Sequence, residues 1–309
     1  MKKWKHLTAF ALAAATVISL LPSAPAQAAT KKKYSWEWTK STYYSYKDGK
    51  WEESSSNKYT YNKKGQLTSS SYTTNHDWVN DEYVNVKTTT ESKYKYNSKG
   101  NTSTVTHYKN NKKTGKYVYS YNKKGYVTKM KSYDAKNKLV STATYKLNSK
   151  GDWTKCTTTY SQKGKKKEVD TAKYTYKKNQ IIKESYTYSD GRKSIEEYTD
   201  KGILKKWTRI DGDFTDVWTY DSKGNIKKRT TDSKYSSSVT DYTYKNGRLD
   251  KEVDKTSYKN INKTTTDTYT HEYKTDKNKN VTEDIRYLDG TPWSKYVYSG
   301  YKKIPVSSK

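Results

Sequence analysis

The 309-residue chain contains a single cysteine, Cys156. No disulfide can form within the chain, so stability has to come from secondary structure and packing alone. A reactive thiol needs basic, accessible surroundings; Lys155 is one lysine among many, and Cys156 is expected as an incidental strand residue. Leu, Ile, Val and Phe number only 30 of the 281 residues after position 28, a shortage that excludes a deep aliphatic core. Carboxylates are scarce too, 32 against 62 Lys and Arg, for a formal charge of +30. After residue 28 there is no long apolar run and no sustained helical periodicity, which excludes a membrane-spanning helix and predicts little helix of any kind. Catalytic signatures are missing as well: the chain has no G-x-S-x-G elbow, no phosphate loop and no paired cysteine and histidine ligands.

The one apolar run that exists is residues 7–21, preceded by Lys2, Lys3 and Lys5 and followed by Ala26-Gln27-Ala28. Basic, apolar and small-residue parts in that order read as a secretory signal peptide over residues 1–28. Without its three lysines the formal charge is +27, because residues 1–28 contain no Asp or Glu. A field of that size attracts polyanions in general, whether anionic wall polymer, nucleic acid or lipid headgroups. The C-terminal Ile304-Pro305-Val306 shows no sorting motif, so no covalent anchor is expected.

Aromatic residues offset the aliphatic shortage. The chain has 34 Tyr and 9 Trp, side chains that bury large areas while keeping a polar tip wet. They recur two apart, which is strand spacing. Tyr34, Trp36 and Trp38, then Tyr44 and Tyr46, lead to Asp48-Gly49, a two-residue hairpin signal. Residues 29–58 are read as strands leading into a repeat array over residues 59–283, with a hairpin and tail at residues 284–309.

The repeat is seen best in Trp218-Thr219-Tyr220-Asp221-Ser222-Lys223-Gly224-Asn225-Ile226. Other copies place Asn62 with Gly65, Asn97 with Gly100, Asn122 with Gly125, and Asn148 with Gly151; Asn137 replaces the glycine of another, and Thr199 precedes Gly202. Residues 174–181 and 242–249, the latter turning at Gly247, are one residue shorter and suit two-residue turns. The copy around Tyr273 and Val281 reads as degraded and lengthened. Asx, two polar residues and Gly are the chemistry of a type I turn closed by a left-handed glycine, because the Asx side chain bonds the backbone two residues on. All the glycines but Gly300 fall where such turns are expected. Trp218, Tyr220 and Ile226 are expected to share one sheet face.

At these copies the chain resembles the tyrosine-aspartate (YD) repeat family, related to the Rhs and teneurin-type β-shell proteins, with Tyr220-Asp221-Ser222-Lys223-Gly224-Asn225-Ile226 the nearest match to Y-x-Y-D-x-x-G-x-L. Most copies carry Asn, Thr or Lys where that family prefers Asp. The resemblance implies an all-β fold, a long antiparallel meander of hairpins forming a curled or spiral sheet, and a cell-surface setting. The chain is too short to spiral around a cargo toxin, so an encapsulating role is not implied.

Candidate sites are few. His76, His107 and His271 are far apart, and the acidic groups Asp77, Asp81, Glu82 and Asp211, Asp213, Asp216 lack calcium-loop spacing. Asp211-Gly212 reads more economically as a hairpin turn. No cofactor, metal or catalytic residue is indicated. The expectation is a secreted or non-covalently surface-associated, non-enzymatic repeat protein of a bacterial envelope, binding anionic cell-wall polymer or surface glycan. A glycan-active enzyme on the same scaffold and an extracellular nucleic-acid binder stand as alternatives.

Overall fold

The computed structural model describes residues 34–79 and 82–305. The segment read as a signal peptide, together with Asp81 of the first acidic group, lies outside the described residues. Every helix or strand among the described residues is a strand. Twenty of these strands form one antiparallel meander, and Lys40–Lys47 pairs with Thr291–Ser299 to close it into a barrel. Outside the wall, Tyr34–Glu37 pairs antiparallel with Lys302–Pro305, joining the two ends of the described residues beside the seam.

Closure corrects the expectation of a curled or spiral sheet. An open meander leaves two edge strands with unpaired backbone groups, whereas here Lys40–Lys47 has partners on both sides, Lys50–Tyr61 and Thr291–Ser299. The accumulated twist of twenty strands brings the last one back to the first. With strands about 4.8 Å apart and tilted by about 40°, such a wall has a Cα radius of roughly 20 Å, too wide for side chains to fill. Accordingly, no large side chain among the described residues is fully buried.

Each hairpin is made by residues close together in sequence. Asn62 Oδ1 accepts from the amides of Lys64 and Gln66 at 2.9 and 3.0 Å, and the Gly65 amide donates to the Asn62 carbonyl. The same bonds recur at Asn97, Asn122, Asn148 and Asp221, with Gly100, Gly125, Gly151 and Gly224 at positive φ. Thr199 Oγ1 does this work in front of Gly202. Asn246 and Gly247 make a two-residue turn with φ of 52° and 75°. The last copy is not lengthened: Asp276 bonds the amides of Asn278 and Asn280, and Lys279 takes the left-handed position at φ 64°. A lysine there hid the copy, since its turn differs from the others only at the glycine place.

Two glycines differ from expectation. Gly115 lies within the strand Lys112–Tyr121, where an added Cβ would meet the Tyr133 carbonyl oxygen at 2.6 Å. Close approach of backbone, not turning, requires glycine there. Gly300, at φ 67°, is where the chain leaves the wall, with its carbonyl held by Thr39 Oγ1 at 2.8 Å.

The Tyr-x-Tyr pairs connect one hairpin to the next. Just past each turn the register slips, for instance between Thr60 and Tyr61, which pair with Ser69 and Leu67. A bulge of this kind interrupts the ladder and leaves backbone groups without strand partners. Tyrosines on the adjacent strand of the next hairpin reach carbonyls at these slips: Tyr96 Oη donates to Leu67 O at 2.6 Å, Tyr121 to Thr102 O at 2.5 Å, Tyr174 to Trp153 O and Tyr273 to Leu249 O at 2.8 Å. Tyr301 bonds the Val281 carbonyl in the same way. At these tyrosines phenylalanine would remove the donor that matches the carbonyl.

Candidate functional site: a lysine-covered wall around an aromatic lumen

Because the register is continuous round the barrel, alternation sorts every wall residue inward or outward. In Glu168–Lys177 the inward set is Glu168, Asp170, Ala172, Tyr174 and Tyr176, and the outward set Val169, Thr171, Lys173, Thr175 and Lys177. Following the pairings, Tyr94 lies opposite Val105 and Val105 opposite Tyr117, while Met130 is between Tyr119 and Ala143 and Cys156 between Tyr145 and Asp170. This face holds the buried residues Val105, Tyr117, Tyr119, Ala143, Cys156 and Ala172, so it is the concave one. Trp218, Tyr220 and Ile226 all lie on it. The convex face carries Thr with lysines such as Lys93, Lys129, Lys173, Lys251 and Lys255.

Aromatic rings line the lumen in contact. Trp153 stacks on Tyr186 with centroids 5.5 Å apart, Trp207 packs on Trp218 at 5.8 Å, and Tyr43 on Tyr296 at 4.9 Å. The lumen is nevertheless wet, since Tyr72, Tyr258 and Tyr296 on this face stay exposed. Tyr119 is buried among Tyr117, Tyr121 and Tyr94; its hydroxyl finds no hydrogen-bond partner, and burial pushes its pKa up.

One arc of the lumen is acidic. Glu184 and Glu196 lie directly opposite each other on neighbouring strands, and Glu168 and Asp170 are inward on the next. Tyrosine hydroxyls bond the carboxylates: Tyr198 to Glu196 at 2.5 Å, Tyr160 to Glu168 at 2.7 Å, and Tyr186 to Glu184. Asp170 accepts from the Ser189 amide at 2.8 Å. Burial raises the pKa of Glu184, with the Tyr186 bond opposing and the Glu196 charge reinforcing; burial likewise raises that of Asp170. The sequence gives no hint of this group, because its members are up to 28 residues apart and only register brings them together.

A second arc is charge-balanced. His271 Nε2 is 3.0 Å from Glu252 and Nδ1 is 2.9 Å from Asp284, and Arg286 bonds Glu252 at 3.2 Å. Burial works against the imidazolium, but the hydrogen bonds and charges of Asp284 and Glu252 outweigh it and raise the pKa to about 9. His271 is thus a cation clamped between two strands. His107 is turned the other way, lowered by burial, with Ser92 at 2.9 Å from Nδ1. His76 bonds Asn85 at 2.6 Å.

The acidic groups picked out by sequence proximity do not assemble. Asp216 is gripped by Arg229 through two bonds of 2.9 and 3.0 Å, and Asp211 faces Arg209 at 3.5 Å. The side chains of Asp77 and Glu82 lie outside what is described. No group of His, Cys, Asp and Glu among the described residues could hold a metal ion. Cys156 is buried, and burial followed by the Asp170 charge pushes its thiol up to about 11, the opposite of activation.

No family model matches the chain, and no curated protein does. Among solved structures, it is similar to a porin-like protein from Bacteroides uniformis ATCC 8492, at 13% identity over 85% of this chain and 96% of the other, with a TM-score of 0.34. A porin-like protein from Bacteroides vulgatus ATCC 8482 matches at 12% identity over 85% and 97%, with a TM-score of 0.33. The TcdB2-TccC3-TEV structure matches at 12% over 77% of this chain and 15% of that one, with a TM-score of 0.32. Superposition this loose carries no argument about this barrel or its role.

Proposed function

We propose that the protein is a secreted, non-enzymatic binding module of a bacterial envelope, a divergent short relative of the YD-repeat proteins, held non-covalently on an anionic surface polymer. The observation that carries this reading is the sorting of charge by the wall: strand lysines such as Lys93 and Lys173 point outward while most aromatics point inward, with Tyr108 and Tyr133 among the exceptions. Lysines within the strands, such as Lys173 and Lys255, also argue against a lipid-facing wall, since each would cost about 2–4 kcal/mol at a bilayer midplane. Sedimentation with purified cell walls across a salt series tests the reading. Retention at low salt that fades as salt rises is expected; no retention at low salt, or retention indifferent to salt, refutes it.

The facing pair Glu184 and Glu196 supports a second reading, a glycan-active enzyme working inside the lumen. Opposed strand residues have Cβ atoms about 5 Å apart, which is compatible with the close carboxyl pair of a retaining glycosidase. Release of reducing ends from wall glycan by the wild type, lost in Glu184→Gln and Glu196→Gln, would favour it; no release by the wild type ends it.

A further inference from the structure

We infer that one mouth of the barrel, the rim built from the Asx turns, is the docking surface for a linear, base-free phosphodiester polymer. This inference rests on the reading of the protein as an anionic-polymer binder and locates the site. In a meander successive turns alternate between the two ends of the wall. The Asx turns and their two-residue variants at residues 62–66, 97–101, 122–126, 148–152, 178–179, 199–203, 221–225, 246–247 and 276–280 therefore fall at the same mouth, and a further Asx turn, at residues 134–138, falls at the other. Neighbouring turns there are two strands apart, about 10 Å along the sheet.

These nine connections contain eleven lysines, no arginine and four carboxylates, a formal +7. The carboxylates are already engaged: Asp221 and Asp276 by the amides of their own turns, Asp200 by Lys177 at 2.6 Å, and Asp152 by Tyr176 at 2.5 Å. Lys63, Lys64, Lys123, Lys124, Lys178 and Lys223 are exposed, and none has an ion-pair partner among the described residues. The opposite mouth is built differently. Three of its tight turns carry a single Asp, at Asp48, Asp213 and Asp289; four of its lysines are bunched in residues 163–167, and Lys87, Lys136, Lys138, Lys234 and Lys259 are scattered over its other connections.

The chemistry of the crown selects the partner. Lysine acts as a point charge on a flexible stem, whereas planar two-point recognition of carboxylate or phosphate calls for arginine. A ring of separate point charges at regular intervals suits a flexible chain with one charge per repeat. Single-stranded nucleic acid would also need exposed rings on which to stack its bases. Within these nine connections the one ring is Tyr126, half-buried against Gly151. Of the exposed aromatics, Trp36 stands beside this mouth on Tyr34–Glu37 while Tyr235, Tyr258 and Trp293 lie elsewhere, so no series of exposed rings follows the rim.

The test compares three variants of the secreted chain, each losing four lysines to alanine: Lys63, Lys64, Lys123 and Lys124 on the rim; Lys129, Lys173, Lys251 and Lys255 on the outer wall; and Lys163, Lys165, Lys166 and Lys167 at the other mouth. Binding of labelled poly(glycerol phosphate) is titrated across salt, with single-stranded DNA of equal charge alongside, after unfolding midpoints show the variants folded. The rim variant is expected to weaken binding about tenfold or more near physiological salt and to flatten the salt slope, the other two by about threefold or less. Equal losses in all three would overturn the rim while leaving retention by diffuse charge intact. DNA bound more tightly than the polyol phosphate would overturn the base-free partner. Absence of wild-type binding at low salt would remove the rim and the broader reading together.

Discussion

His271 offers the sharpest quantitative test of the wall. Its imidazole joins three consecutive strands, bonding Glu252 on one side and Asp284 on the other, with only 8% of its side chain exposed. Raising its pKa from an ordinary value near 6.5 to about 9 corresponds to about 3 kcal/mol in favour of the charged folded form. A group whose pKa is higher in the folded state stabilises fully below its unfolded value, and that contribution is lost as pH rises through the folded value. The clamp should therefore be intact at pH 6 and fade as the pH rises from about 6.5 through 9. Urea unfolding followed by tryptophan fluorescence, on wild type and His271→Gln at pH 6, 7.5 and 9.5, measures it. Other titrations act on both proteins, so the difference between them is the quantity of interest. It should be about 3 kcal/mol at pH 6, where the variant leaves two carboxylates facing Arg286 alone, and should shrink steadily above pH 7. A difference constant over that range would refute the charged clamp.

Three further outcomes follow from the same wall. Glu184→Gln should raise the unfolding midpoint at pH 7 and leave it unchanged near pH 4, because a carboxyl with a raised folded pKa destabilises only once pH climbs above its unfolded value; equal effects at both pH values would count against repulsion across the strands. Gly224→Val should destabilise by about 2 kcal/mol, and more than Gly224→Asn, since φ is +88° while Ile203 leaves room for a Cβ at 3.5 Å; unchanged unfolding would contradict the hairpin. Cys156 should resist a thiol reagent at pH 8 in the folded protein and react promptly in denaturant, and equal rates in the two states would show that the strand does not shield it.

Local chemistry was legible without the fold. Asn62, Asn97, Asn122, Asn148, Asp221 and their glycines act within five residues of one another, so the turn can be read from the letters. The two-residue variants at Asn179 and Gly247 were equally plain. Gly115 was not, because what requires glycine there is the carbonyl of Tyr133, a residue on the neighbouring strand. The hydroxyls of Tyr96 and Tyr121 likewise reach carbonyls on the neighbouring strand, and sequence spacing showed only that these rings share a face.

The sequence by itself determined an all-β meander, the position of its Asx turns, and a large excess of positive charge. Only the tertiary structure decided that the meander closes, because closure depends on twist summed over twenty strands and no single hairpin contains that sum. Once closed, the barrel has an inside. Alternation then sends the lysines out and gathers Glu184 with Glu196 and His271 with Glu252 and Asp284, pairs set by register between strands.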